Sequence, residues 1–153
     1  MKKSERIEAE IGGAYHGPLT GHPCYTGWFE EFNAGRYYEA HDVLEHLWLQ
    51  TEGANHAFFK GLIQLAGAFV HLRKQFEHPS HPKHGRRLRP AGRLFQLAHG
   101  NLETYAPTHL RLDVNAVLRF IQKWFGALES SEFESNPWSP EARPVLHLSN
   151  GTE

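Results

Sequence analysis

Cysteine is almost absent from this chain: Cys24 stands alone among 153 residues. A single thiol excludes an intrachain disulfide and any zinc site built on several cysteines, and it fits a reducing compartment. Long apolar runs are missing too, since no stretch approaches the ~18 consecutive apolar residues of a membrane-crossing helix. The start, Met1-Lys2-Lys3-Ser4-Glu5-Arg6, leads into charged residues and not into the apolar core of a secretion signal. Nor does charge of one sign dominate. The 16 Lys and Arg against 17 Asp and Glu leave a formal charge of -1, which gives no whole-molecule attraction to nucleic acid or anionic lipid. The expectation is a cytoplasmic protein with no membrane association and no general nucleic-acid role. Repeats and alternating strand patterns are also lacking.

Histidine is what the chain has in excess, with 12. Protonation of several below about pH 6.5 would turn the net charge positive, so anion binding has meaning only at a stated pH. The length suits one domain that buries about two thirds of the surface its unfolded chain would expose.

Helical periodicity accounts for most of the chain. Residues 1–25 carry Gly12-Gly13, Gly17-Pro18 and His22-Pro23 and read as a mobile or loosely docked arm, with Cys24 incidental in a loop. Thr26 is a candidate cap for a short helix through Trp28, Phe29 and Phe32 that stops at Asn33-Ala34-Gly35. A second helix runs from Arg36 to about Gln50, and a third, apolar almost all round, from Asn55 to Gln75. Its exceptions Lys60, Gln64, Gly67 and His71 form one stripe. That stripe is either a close helix contact with polar bridges or the solvated side. After the prolines of residues 76–84, a pattern from Gly85 to Tyr105 contains Pro90, where a kink or a new helix start is expected. Asp113 should cap a last amphipathic helix, and the Pro-rich tail from Ser130 is expected to be extended and to lie across the rest. The fold class is therefore all-α: a single-domain bundle of about five helices over 26–129, with an arm at 1–25 and a tail at 130–153.

Candidate chemistry centres on the second helix. At ~100° per residue Tyr37, His41, Leu44, Glu45 and Trp48 share one arc, which sets an imidazole and a carboxylate among core-facing residues. A buried charge needs a partner, a hydrogen bond or a metal. The expected pocket comprises His41, Asp42, Glu45, Gln64 and His71 above Tyr37 and Trp48, with His41, Glu45 and His71 as ligands for Zn, Mn or Fe, or as the recognition set for a small polar ligand. The competing reading is a closed hydrogen-bonded network that only fixes helix docking. Should there be catalysis, a metal- or histidine-dependent hydrolase fits best, although His-Glu-x-x-His and a pair of Glu-x-x-His helices are both absent. A second constellation, the basic segment from Arg73 to Arg93, offers Arg86, Arg87 and Arg93 to a phosphate or RNA backbone, and His78, His81 and His84 to an adventitious metal. The aromatic N-terminal region and apolar tail admit a homo-oligomer.

The segment Gly35-Arg36-Tyr37-Tyr38-Glu39-Ala40-His41-Asp42-Val43-Leu44-Glu45, closed by Trp48, and then Gly61-Leu62-Ile63-Gln64-Leu65-Ala66-Gly67-Ala68 up to His71, resembles the domain of unknown function 309 family. Gly85, Leu88 and Ala91, then Leu102-Glu103, Tyr105 and Pro107, and Leu112-Asp113-Val114 extend the resemblance to roughly residues 28–126. The His-x-x-x-Glu-x-x-Trp core is its specific part. The resemblance implies a small all-helical bundle and no particular activity. Asp42 stands where the family usually has glutamate, and residues 78–93 are more basic than usual and carry Pro90.

Overall fold

A computed structural model describes residues 15–150. Most of the expected arm, residues 1–14, lies outside the described residues. Among the described residues there are five α-helices: α1 (Pro23–Asn33), α2 (Tyr37–Leu49), α3 (His56–Glu77), α4 (Leu88–Leu102) and α5 (Val114–Ser130). No helix among them is long and apolar enough to cross a membrane.

Helix α1 begins three residues before the expected cap. Pro23 sits in its first turn, where a missing N–H costs nothing, and the His22 Nδ1 accepts from the Cys24 backbone N–H at 3.0 Å. Cys24 is therefore no loop residue. It is buried in α1, and burial pushes its thiol up to about 11, which leaves it unreactive. Gly35, at φ +80°, turns the chain into α2, a conformation that suits glycine.

Helix α3 is the central rod, packed on α2 at one side and α4 at the other, while α5 packs on α4. Of its ambiguous stripe, Gln64, Gly67 and His71 face α4 and the residue before it, while Lys60 is exposed. A Cβ on Gly61 would lie 2.7 Å from Leu102 Cγ, and one on Gly67 would lie 3.2 Å from Leu94 Cδ1, so small residues there set the helix spacing. Between them the Gln64 side chain accepts from Asn101 at 2.7 Å. Helix α4 starts at Leu88, which puts Pro90 in the first turn, where its lack of an N–H breaks no bond. Of the two expectations at Pro90, the new start is the one realised.

Phe32, Tyr37, Phe69, Phe95 and Trp124 form the heart of the core, linked through Phe69 with ring centroids 4.9 to 5.3 Å apart. One element departs from the reading above: an antiparallel ladder pairs Thr108 with Asp113 and His109 with Leu112. Its turn residues, Leu110 and Arg111, have φ of 45° and 65° without the glycine or asparagine that announces such turns. The Tyr25 hydroxyl donates to the Leu110 carbonyl at 2.9 Å and supplies a tertiary anchor. Asp113 then caps α5, accepting from the Ala116 N–H at 3.0 Å.

The tail crosses the bundle as expected. Trp138 is buried and its indole N–H donates to the Tyr37 hydroxyl at 2.9 Å. Asn136 donates to the Leu72 carbonyl at 2.8 Å, and Asn33 brackets Leu146 by donating to its carbonyl and accepting from its N–H at 2.8 and 2.7 Å. The tail thus ties α1, α2 and α3 together at one end.

Candidate functional site

The buried face of α2 is formed by Tyr37, Ala40, Leu44 and Leu47, so the core-facing arc lies about a sixth of a turn from where the sequence pattern put it. His41, Glu45 and Trp48 fall on the edge of that face. The side chains of His41 and Glu45 are 32% and 26% exposed, which leaves them reachable from solvent. Full burial belongs to Asp42 and His46, at 6% and 7%. Those two sit on the opposite flank of the helix from Tyr37, because α2 is covered on more than one side. His46 was not singled out from the sequence, where its i, i+4 relation to Asp42 was the only signal.

His41 lies between two acids. Its Nδ1 is 3.2 Å from Asp42 Oδ1, and its Nε2 is 3.9 Å from Glu45 Oε2. An ionised carboxylate only accepts, so the Nδ1 must carry the proton it donates to Asp42. In the neutral imidazole, Nε2 then presents a lone pair on the side of Glu45. Trp48 continues the edge, its ring 4.9 Å from that of His56, and its indole N–H is buried without an acceptor.

His71 does not join this group. On α3 it lies about 100° round from Val70, and it points along the stripe that meets α4, where its Nδ1 accepts from Arg87 at 3.1 Å. Gln64 shares that stripe and is committed to Asn101. The expected ligand set His41, Glu45 and His71 is therefore not assembled, and among the described residues no three His, Cys, Asp or Glu side chains converge as a metal-holding group. Tyr37 is also placed differently, turned into the core and bonded to Trp138, and the cleft it helps to line is a neighbouring one. A cleft of about 270 Å³ does open one turn away, between α2 and α3, lined by Arg36, Tyr38, Glu39, Arg73, Lys74 and Glu77 among others.

The second constellation is organised around Arg87. Its Nη1 donates to His71 Nδ1 and its Nη2 to His84 Nδ1, at 3.1 and 2.5 Å, while its Nε–H is buried without an acceptor. Burial, with Arg87, Lys74 and Arg93 nearby, pulls the His71 imidazole down to about 4. His84 is lowered as well, by desolvation first and then by Arg87. Arg86 lines a cleft of about 340 Å³ with Gln75, Arg89, Phe133 and Glu134, and the Arg89 guanidinium lies 4.9 Å above the Phe133 ring. Arg93, also expected to bind anions, is exposed on α4.

No curated protein and no solved structure matches the chain. Residues 26–80 match a family model, a span that takes in most of α1, all of α2 and α3, and the His41, Glu45 and Trp48 edge, while the motifs around residues 85–114 lie beyond it. The family is described as a domain of unknown function (DUF309), and it is to this family that residues 26–80 of the chain are similar.

Proposed function

We propose that this chain is a binding module whose recognition edge is His41, Asp42 and Glu45 on α2, and that it takes a divalent metal ion whose remaining ligands come from solvent or from a small polar molecule bound with it. The observation that carries this reading is the row of acid, imidazole and acid. Asp42 holds the His41 Nδ1–H at 3.2 Å, and Glu45 stands 3.9 Å from the Nε2 lone pair. A carboxylate behind a histidine fixes the tautomer that ligates and raises its basicity. Imidazole and carboxylate suit Zn, Mn or Fe. With two ligands from one helix, most coordination positions stay open, which suits a ligand-bridged metal better than a purely structural one.

Titration calorimetry of Zn²⁺ and Mn²⁺ into the full chain, purified without a histidine tag, tests the reading. His41→Ala and Glu45→Gln should each abolish the binding heat, and Asp42→Asn should weaken it about 10- to 100-fold. His81→Asn serves as the control for the histidine-rich loop and should leave the heat intact. Equal binding by wild type and His41→Ala would remove the proposal. The burial of Asp42 favours one other reading, a network that only fixes how α2 docks. In that case Asp42→Asn lowers stability while metal has no effect on the wild type.

A further inference from the structure

The connection from α3 to α4 is built in the opposite electrical sense from the α2 edge. His81 Nδ1 accepts from the backbone N–H groups of Lys83 and His84, both at 3.0 Å. His84 Nδ1 accepts from Arg87, and a guanidinium can only donate. Each imidazole therefore carries its proton on Nε2 and turns an N–H outward. A ring wired this way cannot ligate a metal through Nε2 without surrendering its tautomer, so the metal chelation that the spacing of His78, His81 and His84 suggests is disfavoured by the bonds the loop makes. The two rings stack, with centroids 4.6 Å apart and planes 26° off parallel, which holds them together in the loop.

The surrounding charge has the same sense. Lys74, Lys83, Arg86, Arg87 and Arg93 make no ion pair with a carboxylate among the described residues, whereas Arg36 and Arg73 elsewhere do. The loop is also preformed. Gly85 donates to the His81 carbonyl at 2.8 Å, and a Cβ there would lie 2.4 and 2.7 Å from the carbonyl oxygens of Pro79 and His81.

We propose that residues 78–87 form an oxyanion site, in which the Nε2–H groups of His81 and His84, flanked by Lys83 and Arg86, hold a phosphate-class anion. Donors fixed before the ligand arrives bind it without paying to be ordered. Charged acceptors give the stronger class of hydrogen bond.

The test uses the full chain without a tag at pH 7.5, with inorganic phosphate and pyrophosphate as probes. Imidazole ¹⁵N–¹H correlation spectra should show His81 and His84 as Nε2–H tautomers whose signals move on adding either anion. His81→Asn and His84→Asn keep an acceptor near the Nδ1 position and delete the outward N–H. Each should weaken pyrophosphate binding about tenfold, and added salt should weaken it further. Gly85→Ala, which distorts the loop while leaving every donor in the chain, should weaken it too. Nδ1–H tautomers, or signals indifferent to both anions, would overturn the assignment. So would a response to Zn²⁺ alone, or to a single-stranded RNA oligonucleotide with none to phosphate or pyrophosphate.

Discussion

Acidification should destabilise the α3–α4 junction through one residue, and the size of the effect follows from its environment. His71 is neutral in the folded chain because it is half-buried and accepts from Arg87 at 3.1 Å; its folded value is about 4 against an ordinary 6.5. A folded value below the unfolded one means that the unfolded chain takes up the proton first. His71 therefore contributes its full stability above pH 6.5 and loses it as the pH falls from 6.5 toward 4. At 1.36 kcal/mol per pH unit the upper bound is roughly 3.4 kcal/mol, and partial exposure with solvent screening brings the expectation to about 2 kcal/mol. His71→Asn isolates this contribution, because asparagine keeps an acceptor for Arg87 and cannot titrate. Urea unfolding followed by tryptophan fluorescence would be run on both proteins from pH 7.5 to 4.5, so that the other histidines cancel. The wild type should lose about 2 kcal/mol relative to the variant across that range. A difference that stays flat with pH would refute the reasoning and place the His71 imidazole in water or protonated beside an acid.

Two packing predictions accompany it. Trp138→Ala removes the buried anchor of the tail and should cost about 3–5 kcal/mol in chemical denaturation, while Tyr37→Phe, which deletes only the hydroxyl accepting its indole N–H, should cost about 1 kcal/mol. The double variant should cost less than the two combined, and strict additivity would show that the contact at 2.9 Å does not hold the tail. Gly61→Ala places a methyl 2.7 Å from Leu102 Cγ and should destabilise by about 1–3 kcal/mol, more than Gly67→Ala, where the neighbour is the mobile end of Leu94 at 3.2 Å. Equal melting temperatures for these two variants would contradict the close α3–α4 approach.

The helices were legible because their apolar periodicity, their caps and the Asn-Ala-Gly turn agree with one another. Asp113 capped the last helix because short polar side chains satisfy first-turn N–H groups wherever they stand. The start of α1 was missed because its cap is His22, a residue type with little capping preference. The Leu110-Arg111 turn was invisible for a different reason: its left-handed backbone is stabilised from outside, by Tyr25, 85 positions earlier in the chain. The α2 edge was found only in part. Periodicity places His41 and Glu45 together correctly, since i, i+4 contacts depend on the helix alone. It treats α2 as having one buried side, however, and packing on a second flank is a property of the assembled bundle; that is why Asp42 and His46 are the buried pair.

The same limit explains His71. Residue type and apolar surroundings make His41 and His71 look equivalent, and both were assigned to one site. What separates them is the partner at Nδ1. For His41 it is Asp42, the next residue in the chain, which leaves Nε2 a lone pair. For His71 it is Arg87, 16 residues on and across a helix interface, which leaves Nε2 a donor. An imidazole that accepts at one nitrogen must donate at the other, so the neighbour's charge decides whether a histidine can face a cation or an anion. Applied to the four candidate rings, the rule sets His41 apart from His71, His81 and His84: Nε2 is an acceptor on the α2 edge and a donor in the connection after α3.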